Sequence, residues 1–109
     1  MKPVVFLGGS LDDLRAFPER ARHHAGYQLE RVQRGLEPDD WKAMQSVGPG
    51  VREIRVRDAS GAFRVIYVAT FMEAVYVLHA FAKKTARTAP RDLALAKLRF
   101  RALKRGTTP

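Results

Sequence analysis

The sequence contains no cysteine, so disulfide bonds, thiolate zinc sites and cysteine nucleophiles are all excluded. No apolar run approaches the ~20 residues that a membrane-spanning helix needs. The opening MKPVVFLGGS is too short and too soon interrupted to be a secretory signal. We therefore expect a cytoplasmic protein without a membrane partner. The length of 109 residues predicts a single domain, residues 1–109, built around one core.

Acidic residues are scarce in the second half of the chain. Residues 1–50 hold seven Lys/Arg and seven Asp/Glu, whereas residues 51–109 hold thirteen Lys/Arg and four Asp/Glu. The second half therefore carries the whole formal net charge of +9. A positive field confined to one half of a molecule favours nucleic acid as the partner over general solubility. An acidic protein is the alternative partner.

The first half of the chain predicts a short strand followed by two helices. The strand covers Val4–Leu7, and Ser10 is predicted to cap the first helix, which Pro18 ends. Apolar residues at helical spacing predict a second helix from Pro18 to about Arg34. Residues 36–50 lack such a period and are predicted to be an ordered loop.

The second half predicts three strands and a helix. The strands Val51–Arg57, Phe63–Ala69 and Ala74–Ala82 are rich in β-branched and aromatic residues, and the last helix begins at Pro90. We therefore expect an α+β fold. Two N-terminal helices and a C-terminal helix would pack on a small, mainly antiparallel sheet of three to four strands.

Three segments of the second half carry a family resemblance. They are Arg-Glu-Ile-Arg at 52–55, Phe-Arg-Val-Ile-Tyr at 63–67 and Leu-His-Ala-Phe-Ala-Lys-Lys-Thr at 78–85, with Pro90 shortly after. With them, the chain resembles the RelE/ParE toxin superfamily, and more narrowly its HigB-like, phage-related branch of type II toxin–antitoxin toxins. The resemblance covers most of the chain, and Phe-x-Lys-Lys-Thr is its most specific part.

The resemblance implies a RelE-like fold and a metal-independent, ribosome-dependent endoribonuclease without a cofactor. Such a toxin enters the A site of the 70S ribosome, cuts mRNA and thereby inhibits translation. The resemblance also implies neutralisation by a helix-turn-helix antitoxin.

Arginines on neighbouring strands are the first candidates for binding the scissile phosphate. Arg55 and Arg64 suit this task because a guanidinium binds two phosphate oxygens at once and stays charged. Whether both project from one face depends on the strand register. Lys83 and Lys84 follow at the end of the third strand, where a lysine crowded by arginines could accept a proton. Simple attraction of backbone phosphate is the alternative role for both lysines.

His79 is an acid–base candidate by residue type, although its apolar strand favours a structural role over a catalytic one. Its position has the parity of Val75, Val77 and Phe81. Additional RNA contacts are predicted for Arg52, Arg57, Tyr67 and Arg87; plain core packing is the alternative for the tyrosine. His23 and His24 have no partner at metal-ligand spacing, so no metal site is expected.

The C-terminal tail departs from the family pattern. Several toxins of this superfamily place an essential Tyr, His or Asp near the C-terminus, whereas residues 104–109 here read Lys-Arg-Gly-Thr-Thr-Pro. Cleavage would then depend on the Arg/Lys cluster or on His79. A non-catalytic basic toxin, either a ParE-like gyrase inhibitor or a nucleic-acid-binding module, is the alternative function.

Overall fold

The computed structural model of the protein describes residues 1–106. Within this range the sheet has the strand order β1-β5-β4-β3-β2, in which β1 and β5 are parallel and the other neighbours antiparallel. None of the helices in these residues combines the length and apolar character needed to cross a bilayer. The elements are β1 (Val4–Phe6), α1 (Ser10–Arg15), α2 (Glu19–Gln33), β2 (Trp41–Ala43), β3 (Val51–Asp58), β4 (Gly61–Val68), β5 (Val75–Lys83) and α3 (Pro90–Lys104).

The sheet lies between two helical layers. On one face, α1 and α2 bury Leu14, Ala25 and Leu29 against Ile54 and Val65 of the central strands. On the other face, α3 packs against the alternate strand residues, which include Val51, Ile66, Val68 and Leu78. The predicted α+β class is therefore confirmed, but the helices form two layers because both faces of the central strands carry apolar side chains.

The two long helices lie where helical periodicity predicts them. Pro18 precedes α2, and Gly35 follows it at a φ of +83°, a left-handed conformation that glycine adopts without a steric penalty. Pro90 is the first residue of α3, where a missing amide hydrogen leaves no helical bond unmade. The predicted boundaries of α2 are confirmed to within about one residue, and so is the predicted start of α3 at Pro90.

The predicted role of Ser10 as a helix cap is wrong. Gly9 precedes α1, and the amide of Asp13 donates to the Gly9 carbonyl instead of the Ser10 hydroxyl. Ser10 is buried, and its hydroxyl donates to the carbonyl of Val77 at 3.2 Å. The serine therefore binds α1 to β5, just beyond the point where β1 stops pairing with that strand.

The sheet has one strand more than the predicted maximum of four. Residues 36–50 were predicted to be a loop, but Trp41–Ala43 pairs with β3, with Lys42 opposite Glu53. Three residues are too few to show a period of two, and the strand depends on its longer neighbour for hydrogen bonds. The other strands lie within about two residues of their predicted ends.

A bulge in β5 changes which residues share a face. Ile66 pairs with His79 whereas Tyr67 pairs with Val77, so Leu78 is an additional residue between the two pairs. His79 and Phe81 consequently lie on the α3 face, and Val77 lies on the α2 face. The predicted common parity of Val75, Val77, His79 and Phe81 is therefore wrong.

Candidate functional site

Arg55 and Arg64 are direct cross-strand neighbours on the α3 face of the sheet. Paired residues of adjacent strands project from the same face, so the register resolves the question that alternation alone left open. Like charges directly opposite each other repel, and such a pair persists only where anionic groups offset the repulsion. Glu53 is the nearest anionic side chain that the described residues provide.

Glu53 lies between the two arginines and is almost completely buried, with 2% of its surface exposed. Its Oε1 is 3.5 Å from Nε of Arg64 and 3.9 Å from Nε of Arg55. Its other oxygen, Oε2, accepts a hydrogen bond from the hydroxyl of Thr88 at 3.2 Å. The carboxylate therefore connects β3 and β4 to the loop that precedes α3.

The two guanidinium groups keep unused donors. Nε of Arg55 and Nε of Arg64 are both buried and have no hydrogen-bond partner within residues 1–106, because their approach to Glu53 is an ion-pair contact only. Arg64 is 3% exposed and donates through Nη1 to the carbonyl of Phe63. Buried donors without partners are rare in folded proteins, and here the carboxylate of Glu53 is the anionic group that both Nε atoms face.

A cleft of about 440 Å³ opens beside this group of charges, and we call it the basic cleft. Arg55, Glu53 and Lys83 contribute to its lining from the sheet. Lys42 to Ser46 form one wall, and Ala86, Arg87 and Thr88 form the other. Arg64 is buried and does not line the cleft, so its charge acts from behind Arg55. Four cationic side chains therefore line a cavity that contains one carboxylate: Lys42, Arg55, Lys83 and Arg87.

The environment of Lys83 lowers the pKa of its ammonium group. Partial burial and the positive charge of Arg64 lower the pKa of the Lys83 ammonium, and the carboxylate of Glu53 offsets only part of this effect. Burial likewise lowers the pKa of Arg64, with Arg55 and Arg57 adding to the effect of burial. A lysine with a lowered pKa that lines a cavity can accept a proton more readily than a solvated lysine can.

His79 belongs to a different group of side chains. Its Nε2 lies 2.6 Å from Oδ1 of Asp92, and its Nδ1 lies 3.7 Å from Oδ2 of Asp13 and 3.4 Å from Nη1 of Arg99. The imidazole is 4% exposed and stacks on Phe81, with ring centroids 5.4 Å apart. His79 therefore connects β5 to α1 and α3, and it does not line the basic cleft.

Arg52 and Tyr67 lie on the opposite face of the sheet, away from the basic cleft. They line a larger cavity of about 770 Å³ near the N-terminus. The guanidinium of Arg52 lies 3.9 Å from the ring centroid of Trp41 and 3.3 Å from Oε2 of Glu37. Tyr67 is 1% exposed, and burial raises the pKa of its hydroxyl. Their predicted RNA contacts would therefore lie outside the basic cleft.

The remaining predicted residues lie around the basic cleft or outside the described range. Arg87 lines it, Arg57 is exposed at the end of β3, and Lys84 is exposed directly after β5 without lining the cleft. In the C-terminal tail, residues 107–109 lie outside the described residues. Across residues 1–106, no group of three His, Cys, Asp or Glu side chains is arranged to hold a metal ion.

Sequence reasoning missed Glu53 and the wall formed by β2. One signal for Glu53 was available, because it is the one acidic residue among the arginines of the strand predicted at Val51–Arg57 and shares the parity of Arg55. Nothing in the composition of residues 41–46 indicates that they border a charged cavity. That arrangement arises from the pairing of β2 with β3.

One comparison with known proteins identifies a family. The family model described as "Phage derived protein Gp49-like (DUF891)" matches residues 12–101, which is most of the chain. This is a RelE/Gp49-type toxin family that is associated with toxin–antitoxin systems. No curated protein matches the chain.

Proposed function

The chain belongs to the Gp49-like family of phage-derived proteins, and from this membership and the basic cleft we propose that it is a toxin that cleaves RNA. The family association supplies the toxin class and the existence of an antitoxin partner. The finer assignment is a ribosome-dependent, metal-independent endoribonuclease of the HigB-like type. Its proposed substrate is mRNA in the ribosomal A site.

The grouping of Arg55 and Lys83 along the basic cleft carries this proposal. A phosphodiester bound in the basic cleft would meet the guanidinium of Arg55 and the ammonium of Lys83, with the buried charge of Arg64 behind them. Fixed cationic donors of this kind stabilise the additional negative charge that develops on the phosphate oxygens during cleavage. Glu53 is a positioning residue, because its carboxylate contacts both guanidinium groups and accepts a hydrogen bond from Thr88.

The proposed reaction uses the RNA, a side chain of the cleft as base and solvent as acid. The 2′-oxygen of the RNA attacks the adjacent phosphorus, the new O–P bond forms, and the bond from phosphorus to the 5′-oxygen breaks. Lys83 takes the 2′-hydroxyl proton, since its lowered pKa enlarges the neutral fraction of the amine. The departing 5′-oxygen takes a proton from solvent. The products are a 2′,3′-cyclic phosphate and a 5′-hydroxyl end.

The buried position of His79 removes it from this proposed proton transfer. Lys84, Arg57 and Arg87 retain a proposed role in holding the RNA backbone near the cleft, because all three are exposed and cationic. The proposed partner that neutralises the toxin is a helix-turn-helix antitoxin.

Primer extension on a defined mRNA, with and without 70S ribosomes, tests the proposed function. We expect new 5′ ends only when ribosomes are present, and we expect them to carry 5′-hydroxyl groups. Ends that carry a 5′-phosphate would contradict attack by the 2′-oxygen. Intact mRNA in both reactions, from folded protein, would contradict the nuclease itself.

One observation favours the alternative of a basic toxin that binds without cleaving. The imidazole predicted as an acid or base lies outside the basic cleft, so no histidine provides acid–base chemistry there. Growth arrest with intact transcripts would support this alternative. Inhibition of purified gyrase would then identify the ParE-like form of the activity.

A further inference from the structure

The turn that follows β2 presents two neutral polar side chains to the basic cleft. Gln45 and Ser46 are exposed at the tip of this turn, and both line the cleft. Lys83 and Arg55 line the same cavity from the sheet, and Arg87 lines it from the loop before α3. The cavity thus combines cationic side chains with two neutral hydrogen-bonding groups.

The turn is held in place from both sides. Met44 and Val47, which flank Gln45 and Ser46, are both buried in the core beneath α3. The amide of Met44 donates to the carbonyl of Val51 at 2.9 Å, and the amide of Val47 donates to the carbonyl of Met44 at 3.0 Å. Gly48 lies so close to the ring of Phe100 that a β-carbon there would overlap it. Such a turn holds the backbone of Gln45 and Ser46 in a fixed position before a ligand arrives.

We propose that Gln45 and Ser46 recognise the nucleobase next to the bound phosphate and thereby set the sequence preference of the protein. This inference rests on the proposed function, because it takes RNA as the ligand. An amide both donates and accepts hydrogen bonds, and a hydroxyl does the same, so together they distinguish the edges of the four bases. The cationic side chains of the cleft contact phosphate, which is identical in every nucleotide and carries no sequence information.

The size and the second wall of the cleft are consistent with one nucleotide. Its volume of about 440 Å³ lies within the roughly 300–1,000 Å³ range of small-ligand sites. Arg87 lines the wall opposite Gln45, and a guanidinium plane can stack on an unpaired base. The base would then lie between the two walls while its phosphate contacts the cationic side chains.

Binding of short RNA to the purified protein tests this inference separately from cleavage. The probes are four homopolymeric 2′-O-methyl RNA hexamers, which lack the attacking hydroxyl and cannot be cut. Fluorescence anisotropy gives the affinity for each. We expect the wild-type protein to discriminate about tenfold between the best and worst base, as two hydrogen bonds to a base edge allow. In Gln45→Ala and the double variant Gln45→Ala/Ser46→Ala, we expect this ratio to fall to about twofold or less.

Two control variants define the result. Gln33→Ala removes an amide far from the cleft and should keep the wild-type ratio. Arg55→Ala should weaken binding to all four hexamers by a similar factor, because it removes a phosphate contact. Equal affinity of the wild-type protein for all four bases, no measurable RNA binding, or an unchanged ratio in Gln45→Ala would each overturn the inference. The proposed nuclease activity is judged separately, by new 5′ ends on ribosome-bound mRNA.

Discussion

The two faces of the central sheet are built from alternate residues of the same strands, yet they differ in chemistry. On the α2 face, Ile54, Val56 and Val65 pack under a helix of fifteen residues and form a continuous apolar core. On the α3 face, the apolar residues Ile66 and Val68 cover only part of the surface. The other part carries charged side chains: Glu53, Arg55, Arg64 and Lys83.

This difference shows how a small sheet holds a cationic site without losing its core. Helix α3 covers the half of this sheet face that carries Val51, Ile66 and Leu78, and the loop before α3 borders the charged half through Thr88. Arg55 and Lys83 retain partial access to solvent through the basic cleft, which lowers the free-energy penalty for placing several cations together. The α2 face, which we call the apolar face, supplies stability. The α3 face, which we call the mixed face, provides the charged groups of the proposed activity.

The difference between the two faces predicts its largest effect on the rate of RNA cleavage. Arg55→Ala and Lys83→Ala should each lower the rate of ribosome-dependent cleavage by about 10²–10³-fold, because each removes a fixed positive charge from the phosphate site. Rates of 5′-end formation, normalised to folded protein, give the effect. Arg20→Ala is the matched control, since it removes an exposed arginine from α2 and should retain the wild-type rate. A Lys83→Ala variant with full activity would contradict the proposed site.

The apolar face should show the opposite pattern. Ile54 has no exposed surface, and its truncation in Ile54→Ala should lower the free energy of unfolding by about 2–5 kcal/mol through lost burial and a cavity. Urea unfolding followed by circular dichroism measures the change. The cleavage rate per folded molecule should stay near the wild-type value. A specific loss of activity in the folded fraction would show that the two faces are not separable.

A substitution at Glu53 tests how much the charges of the mixed face contribute to the free energy of unfolding. Glu53→Gln should lower the free energy of unfolding by about 2 kcal/mol, less than the roughly 3–5 kcal/mol for breaking a well hydrogen-bonded buried pair. The free energy of unfolding falls because Arg64 would stay buried without its counter-charge. The loss is smaller than for a hydrogen-bonded pair because the 3.5 Å contact between Glu53 and Arg64 contains no hydrogen bond.

A second variant makes this prediction specific to the ion pair. Glu53→Gln/Arg64→Met removes the buried cation together with its partner and should recover most of the lost stability in the same urea unfolding assay. A double variant that is less stable than Glu53→Gln would show that Arg64 contributes through packing and not through its charge.

Sequence patterns predicted the apolar face better than the mixed face, for a physical reason. Apolar spacing in α2, such as Ala21, Ala25 and Leu29, reflects burial directly and therefore identifies the helix and its inner side. Charged residues in a strand have the same alternation whether they are solvated or buried. The burial of Arg64 depends on where α3 and its preceding loop lie, which no local pattern specifies.

Strand register decided how the candidate residues group. The additional residue Leu78 moved His79 to the α3 face, and a bulge of one residue has no signature in an apolar strand. The pairing of Arg55 with Arg64 was likewise open until the β3–β4 register was known. The candidate residues could be selected by type, but their grouping required the structure.

The pH dependence of cleavage sharpens the role of Lys83 within the mixed face. Burial and the charge of Arg64 lower the pKa of Lys83 below its usual range, so the neutral amine becomes more abundant as pH rises toward that pKa. A base of this kind predicts a cleavage rate that increases about tenfold per pH unit below its pKa. Rates measured from pH 6 to about 8.5 on stalled ribosomes test this slope.

Two arginine variants separate proton transfer from charge. Lys83→Arg keeps a cation in the cleft but cannot lose its proton, so its residual activity should not vary with pH. Lys84→Arg, one residue further and outside the cleft, should keep the wild-type slope. A slope that persists in Lys83→Arg would assign the titrating group to another residue.

The smallest predicted effect concerns the outer side of α2, above the apolar face. Gly26 lies in the middle of this helix, and a β-carbon there would meet no atom within 4 Å. Gly26→Ala should therefore raise the free energy of unfolding by about 0.5–1 kcal/mol, because alanine has the higher helix propensity. If the apolar half serves stability alone, the more stable variant will cleave RNA and bind the antitoxin as the wild type does. A Gly26→Ala variant that is more stable in urea but weaker in either assay would show that a partner approaches the helix backbone at this glycine. The α2 side would then have a binding role of its own, and the division between the two faces would not hold.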